Sequence, residues 1–237
     1  TCYLLPVTCY LLPVTCYLIP DMDDSQLLRY SRHILLDELG PDAQAKFAAA
    51  HALIVGVGGL GAPVAQFLAA AGVGTVTLCD PDTVDLTNLQ RQILYATADV
   101  GRPKVEAAAG RLASINPDVA LGLVERRVGG NELSALTRSA DVVVDCSDNF
   151  ATRHAINRAC VEQARPLVSG AAIRFDGQVA VFDTRDPASP CYHCLFGEGD
   201  EIEETRYRVT ETGGERAQLQ TLRVIRHGPG AVSRLVP

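Results

Sequence analysis

Five short stretches carry most of the chemistry available to this sequence: Gly56-Val-Gly58-Gly59-Leu-Gly61, Asp80, Asn88-Leu-Gln-Arg91-Gln92, Lys104 and Asp148-Asn149. In the Gly-x-Gly-x-x-Gly pattern the first glycine permits a tight turn, the second lets backbone approach phosphate, and the third allows close helix packing. Phosphate then meets the positive end of the helix that follows. Asp80 ends a strand about twenty residues later, where a carboxylate accepts hydrogen bonds from ribose hydroxyls. These two features fit NAD as well as ATP, and Asp80-Pro81-Asp82 also reads as a plain turn.

The remaining stretches separate the two nucleotides. Alone, the run from Asn88 to Gln92 would be a solvated loop. Joined to Lys104 at the start of the next helix pattern, it supplies a second cationic arm, suited to a triphosphate. A dinucleotide dehydrogenase has little use for that arm. Asp148 follows the apolar run at 142–147, at the carboxyl edge where open α/β sheets place their ligands, and a carboxylate there can hold magnesium against phosphate oxygens. Asp148 or Asn149 can equally cap the next helix, while Asp145, inside the strand pattern, is a poorer candidate ligand. Cys191-Tyr-His193-Cys194 is half of a tetrahedral zinc site, with no second Cys-x-x-C downstream in this chain; His193, between the cysteines, is awkwardly placed to ligate.

Alternating elements position these residues. Asp24-Ser25 caps an N-terminal helix carrying Arg29 and Arg32 and interrupted near His33, and a short helix follows at 41–50. The apolar run at 51–57 reads as a buried parallel strand leading straight into the glycine turn. Helix at 60–71, strand at 75–80, helix at 103–115, strand at 119–124, helix at 131–139, strand at 141–148, helix at 152–164 and strand at 166–172 continue the series. The pattern predicts an α/β fold of Rossmann-like, doubly wound type: a mostly parallel sheet with helices on both faces. A later strand at 178–183 adds an antiparallel extension.

With 237 residues, 47% of them hydrophobic, the chain can bury a sizeable core. A net charge of -7 without a basic cluster argues against nucleic acid as a partner. No apolar run reaches the roughly 18 residues of a membrane span, and no export signal is evident, so the expected setting is cytoplasmic and reducing. Cys79, Cys146 and Cys160 lie in apolar patterns and read as buried thiols. Lys46 and Lys104 are the only lysines in an Arg-rich chain, which hints that Lys104 meets a need for a compact ammonium.

Both ends change character. Residues 1–21 contain Thr-Cys-Tyr-Leu-Leu-Pro-Val twice and Thr-Cys-Tyr-Leu-Ile-Pro once, and read as a translated repeat ahead of a start at Met22. After Thr205 the apolar periodicity fades, apart from a weak stretch near 219–225. Residues 206–237 read as a disordered or out-of-frame tail, leaving 22–205 as the nucleotide-binding domain.

Leu28-Arg-Tyr-Ser-Arg32-His-Ile-Leu35, the glycine loop, Asn88 to Gln92, Val100-Gly-x-Pro-Lys104, Asp145-Cys-Ser-Asp148-Asn149 and Ser169-Gly-Ala-Ala172 together resemble the MoeB/ThiF/HesA family, relatives of ubiquitin-activating enzymes. The resemblance covers residues 22 to about 205 and implies ATP- and magnesium-dependent adenylation of the C-terminal Gly-Gly carboxylate of a small ubiquitin-like sulfur carrier protein. It implies that Gly59 and Asp80 hold the nucleoside side, that Arg91 and Lys104 stabilise charge as pyrophosphate leaves, and that Asp148 binds magnesium. Arg32 would complete the partner's site in trans across a homodimer. Family members carry a second Cys-x-x-C that completes a zinc site, whereas here the residues after Thr205 depart from the pattern. Two other readings stand beside this one: a truncated ATP-binding pseudoenzyme, and an NAD-dependent oxidoreductase, for which no catalytic His or Tyr is evident.

Overall fold

The computed structural model describes residues 22–173, 176–197 and 223–226. The chain divides into two compact units, Thr1–Ala45 and Lys46–Pro237. In the first, α1 (Asp24–Arg29) is followed by α2 (Ser31–Ile34), and α3 (Gly40–Ala49) runs across the division. The N-cap of α1 is Asp23 rather than Asp24 or Ser25, because Asp23 and Gln26 form a reciprocal capping box. The helical interruption falls at Tyr30, which closes α1 and opens α2, and not at His33. His33 Nδ1 instead lies 2.9 Å from Gln44 Oε1.

The second unit holds β1 (His51–Val55), α4 (Gly61–Ala71), β2 (Thr75–Cys79), α5 (Lys104–Ile115), β3 (Ala120–Val124), α6 (Gly130–Ser139), β4 (Val142–Asp145), α7 (Phe150–Gln163), β5 (Leu167–Ile173), β6 (Asp176–Phe182), α8 (Tyr192–Leu195) and β7 (Arg223–Arg226). The strands form one sheet in the order β3-β2-β1-β4-β5-β6-β7. From β3 to β5 every pairing is parallel. β6 runs antiparallel to β5, as the sequence predicts, and β7 runs parallel to β6. The expected leader at 1–21 lies outside the described residues, as does the expected tail apart from the four residues of β7.

Alternation along β1 shows why the sheet is covered on both faces. Ala52 and Ile54 join a core with Ala62, Ala65 and Ala69 of α4 and Val105, Ala108 and Leu112 of α5. Leu53 and Val55 join the opposite core with Leu133 of α6, Ile156 and Cys160 of α7, and Phe182 of β6. A period-2 strand with both sets of side chains buried must be apolar throughout, which is what the run at 51–57 records. Chain order reverses between β1 and β4, the switch point where such sheets open a ligand crevice at their carboxyl ends. Among the described residues, no helix is long and apolar enough to cross a membrane.

Two glycines make the turn from β1 to α4 possible. Gly56 has φ +90, and a Cβ there would lie 2.7 Å from the Cys146 carbonyl oxygen at the end of β4. At Gly61 a Cβ would come within 1.9 Å of the Gly56 carbonyl oxygen. Gly110, exposed within α5, is the contrasting case, since a Cβ there would meet nothing within 4 Å. In urea unfolding, Gly61→Ala is expected to lower stability by about 1–3 kcal/mol through overpacking against backbone. Gly110→Ala is expected to raise it by about 0.5–1 kcal/mol. Equal effects at the two sites would remove the steric account of the turn.

Candidate nucleotide site

The glycine turn is held from three sides. Asp80, buried at the end of β2, accepts the Val57 N–H at Oδ2 (2.7 Å) and the Asp82 N–H at Oδ1 (2.9 Å). Tyr95 donates its hydroxyl to the Val57 carbonyl at 2.7 Å. Burial, reinforced by the charges of Asp80 and Asp82, pushes the Tyr95 phenol well above its ordinary range, so it stays a donor. On the third side, Cys146 N–H donates to Val55 O and Gly56 N–H to Cys79 O, tying the turn to β4 and β2. Tyr95 is not among the candidates read from the sequence, and its only signal there is an aromatic residue inside an otherwise polar loop.

The loop from Asp80 to Lys104 brings the second motif over the first. Its single 3₁₀ turns, at Leu86–Asn88 and Thr97–Asp99, are short, and Asn88 stabilises the first by accepting the Asp85 N–H at 3.4 Å. Arg91 donates from Nη1 to the Thr87 carbonyl at 3.2 Å, and its Cδ lies 3.6 Å from where a Gly59 Cβ would stand. Gln92 is buried, with Nε2 3.6 Å from the corresponding point at Gly58 and its Oε1 without a partner among the described residues. Arg91 and Gln92 therefore lie against the two central glycines, a juxtaposition between residues more than thirty apart in sequence that no local pattern reveals.

Lys104 opens α5 and is buried. Its ammonium donates to Asp82 Oδ2 at 2.9 Å and lies 3.9 Å from Asp80 Oδ1. Lys104 thus shares with Asp80 the turn after β2, while Arg91 lies against Gly59.

At the end of β4, Asp145 is fully buried and wholly engaged. Its Oδ1 accepts the Ser147 N–H (3.0 Å) and hydroxyl (2.6 Å), and its Oδ2 accepts Arg153 Nη1 (3.2 Å) and the Ser169 hydroxyl (3.0 Å). Arg153 also donates from Nη2 to the Ser147 carbonyl. This network, joining β4, β5 and α7, fixes the turn that carries Asp148 and Asn149. Of the two cap candidates Asn149 is the cap, accepting the Thr152 N–H at 2.9 Å, which leaves Asp148 exposed with Asn149 Nδ2 at 3.3 Å as its side-chain partner. Arg153 is absent from the sequence candidates; it stands four residues beyond Asn149 on a helix with a weak apolar face, where a basic residue reads as solvated.

A magnesium ion needs one or two carboxylates beside phosphate oxygens, and an exposed, lightly engaged Asp148 at the crevice meets that need. Zinc fits less well. Cys191 and Cys194 place their sulfurs 3.6 Å apart, yet no group of three or more His, Cys, Asp or Glu side chains among the described residues could hold a metal. Partial burial raises the Cys191 thiol, but hydrogen bonds from Asn157, Cys194 and the His193 backbone outweigh it and leave the group below its ordinary value. Burial pushes Cys79, Cys146 and Cys160 up to about 12, and Cys79 and Cys160 are buried while Cys146 is partly so. Arg32 lies exposed on α2 in the first unit.

The model of the ThiF family matches residues 30–235. The chain is 47% identical over 180 residues to the SAMP-activating enzyme E1 of Haloferax volcanii, covering 76% of this chain and 66% of that protein. It is 44% identical over 208 residues to the sulfur carrier protein ThiS adenylyltransferase of Escherichia coli K12, covering 86% and 82%, and 48% identical over 181 residues to the molybdopterin-synthase adenylyltransferase of that strain, covering 75% and 72%. The crystal structure of E. coli tRNA N6-threonylcarbamoyladenosine dehydratase, TcdA, in complex with ATP matches with a TM-score of 0.60 at 33% identity, over 63% of this chain and 62% of that one. The chain thus spans just under two thirds of the Haloferax volcanii relative's length. With the doubly wound sheet, the glycine turn at its switch point and a family match over most of its residues, the chain belongs to the ThiF family.

Proposed function

We propose that the protein is an ATP-dependent adenylyltransferase that activates the C-terminal Gly-Gly carboxylate of a small ubiquitin-like sulfur carrier protein. The observation that carries this reading is the placement of Arg91 against Gly59 and of Lys104 beside Asp80, whose other oxygen holds the glycine turn at Val57. Relatives named for ThiS, molybdopterin synthase and SAMP activation support the carrier as the second substrate. The NAD-dependent alternative leaves both cations without a task.

In the proposed reaction a carboxylate oxygen of the carrier attacks the α-phosphorus of ATP. The new C–O–P bond forms as the bond from the α-phosphorus to the bridging oxygen breaks, and pyrophosphate leaves with the bonding pair. No base is required, because the attacking carboxylate is already ionised at neutral pH. The protein's work is positioning and charge stabilisation. Backbone at Gly56, Gly58, Gly59 and Gly61 cradles phosphate, Asp80 takes the ribose, and Arg91 and Lys104 meet the negative charge growing on pyrophosphate. Asn88, Gln92 and Asn149 complete the lining. Asp148 would hold magnesium, which supplies further charge neutralisation when bound. Arg32 from a second copy would complete the site of a homodimer in the cytoplasm.

The test is carrier-dependent ATP–pyrophosphate exchange by the full chain with magnesium. Arg91→Ala and Asp148→Ala are each expected to lower the exchange rate about 10²- to 10³-fold. ATP binding without exchange in the unaltered chain would support a pseudoenzyme, and NAD binding in place of ATP an oxidoreductase. For the trans role, inactive Arg32→Ala and Asp148→Ala chains mixed in equal amounts should recover about a quarter of full activity, since half the dimers would each hold one intact site. No recovery on mixing would place Arg32 outside the partner's site.

A further inference from the structure

We infer that Asp82 is the positioning residue of Lys104: it holds that ammonium at the nucleotide turn and yields it to the triphosphate. The inference rests on the adenylyltransferase reading. Asp80, the other nearby carboxylate, lies 3.9 Å from the ammonium and already accepts the N–H groups of Val57 and Asp82. Asp82 at 2.9 Å is the hydrogen-bond acceptor of Lys104 Nζ among the described residues.

Backbone clamps this pair. Lys104 N–H donates to the Asp82 carbonyl (2.9 Å), Thr83 and Pro103 form an antiparallel bridge, Val84 N–H donates to the Arg102 carbonyl (2.8 Å), and Gly101 N–H donates to the Val84 carbonyl (2.8 Å). Asp82 therefore travels with Lys104 as one unit, although they stand far apart in sequence.

The burial of the two partners differs sharply. The Lys104 side chain is 7% exposed and that of Asp82 64%. An exposed carboxylate trades an ion pair for water at small cost. A buried ammonium cannot be left unpaired, so Lys104 exchanges Asp82 only for another anion. At this turn that anion is a phosphate, and Asp82 is the partner held until ATP arrives. Without the Asp82 charge the four-carbon stem of Lys104 is free to swing toward Asp80 or solvent, and the ammonium no longer faces the phosphates.

Asp82→Asn keeps the side-chain shape and removes the charge, and Asp82→Glu keeps the charge. In carrier-dependent exchange, Asp82→Asn should lower turnover about 10- to 100-fold. Its KM for ATP should change less than about threefold. Asp82→Glu should recover most of the loss. A second measurement needs no turnover: Lys46 and Lys104 are the only lysines, so an amine-acetylating ester read by peptide mass spectrometry reports on each. The ratio of Lys104 to Lys46 labelling should rise severalfold in Asp82→Asn and stay near the unaltered value in Asp82→Glu. Unchanged turnover and labelling in Asp82→Asn would overturn the inference. So would equal losses in both variants accompanied by equal falls in melting temperature, which would mark a purely structural pair. If the unaltered chain shows no exchange at all, the adenylyltransferase reading falls, and the labelling ratio still decides whether Asp82 holds Lys104.

Discussion

The approach of α4 to the end of β1 is the constraint on which the rest of the structure depends. At Gly61 there is no room for even a methyl group against the Gly56 carbonyl, and at Gly56 the end of β4 is equally close. Closing that gap does two things at once. It aims the start of α4 back over the turn it has just left, and it packs the turn against the neighbouring strand across the switch point. The fully buried alanines of α4 extend the same economy of size down the helix, letting it lie close on β1 and β2. Larger residues there would lift the helix and open the turn.

Around this rigid seat the polar groups divide by degree of engagement. Asp145 and Arg153 are buried and held by one another, by the Ser147 and Ser169 hydroxyls and by backbone, so they act as fixed struts, and buried Asp80 is tied to the turn by two backbone N–H groups. Arg91, Asp148 and Asp82 are exposed and make few contacts. Gln92 stands between the two classes, buried yet with an acceptor unmet. Such a division suits a site that must recruit a polyanion: struts hold shape without competing for the ligand, and lightly held groups can change partner without paying for a lost buried bond.

The Asp145 network shows how this rigidity reaches the working residues. It gathers the end of β4, Ser169 within β5 and Arg153 of α7, and the turn after β4 presents Asp148 outward while Asn149 starts the helix. The Cys191 region sits farther along α7, where Asn157 binds both the Cys191 thiol and the Tyr192 N–H. One helix therefore anchors the Asp148–Asn149 turn at its beginning and the dithiol segment at its middle.

Period-2 and period-3.6 hydrophobic patterns are local, and so the alternation of strands and helices, the parallel class of the sheet and the antiparallel extension at β6 were all legible in sequence, with boundaries within a few residues of those found. The glycine turn and Asp80 were legible too, because their spacing is a property of one βαβ unit. Helix caps were read less well: Asp23 displaced Asp24 and Ser25, since a capping box depends on which carboxylate reaches back to Gln26. Tertiary structure alone decided the meetings between distant segments: Arg91 and Gln92 against Gly59 and Gly58, Tyr95 on Val57, Lys104 on Asp82, Arg153 on Asp145 and Ser169. Those contacts join residues whose separation along the chain carries no periodic signal. Where they bury a charge or a hydroxyl, as at Tyr95, Lys104 and Arg153, burial obliges the group to find a partner, and only the folded sheet determines which partner lies within reach.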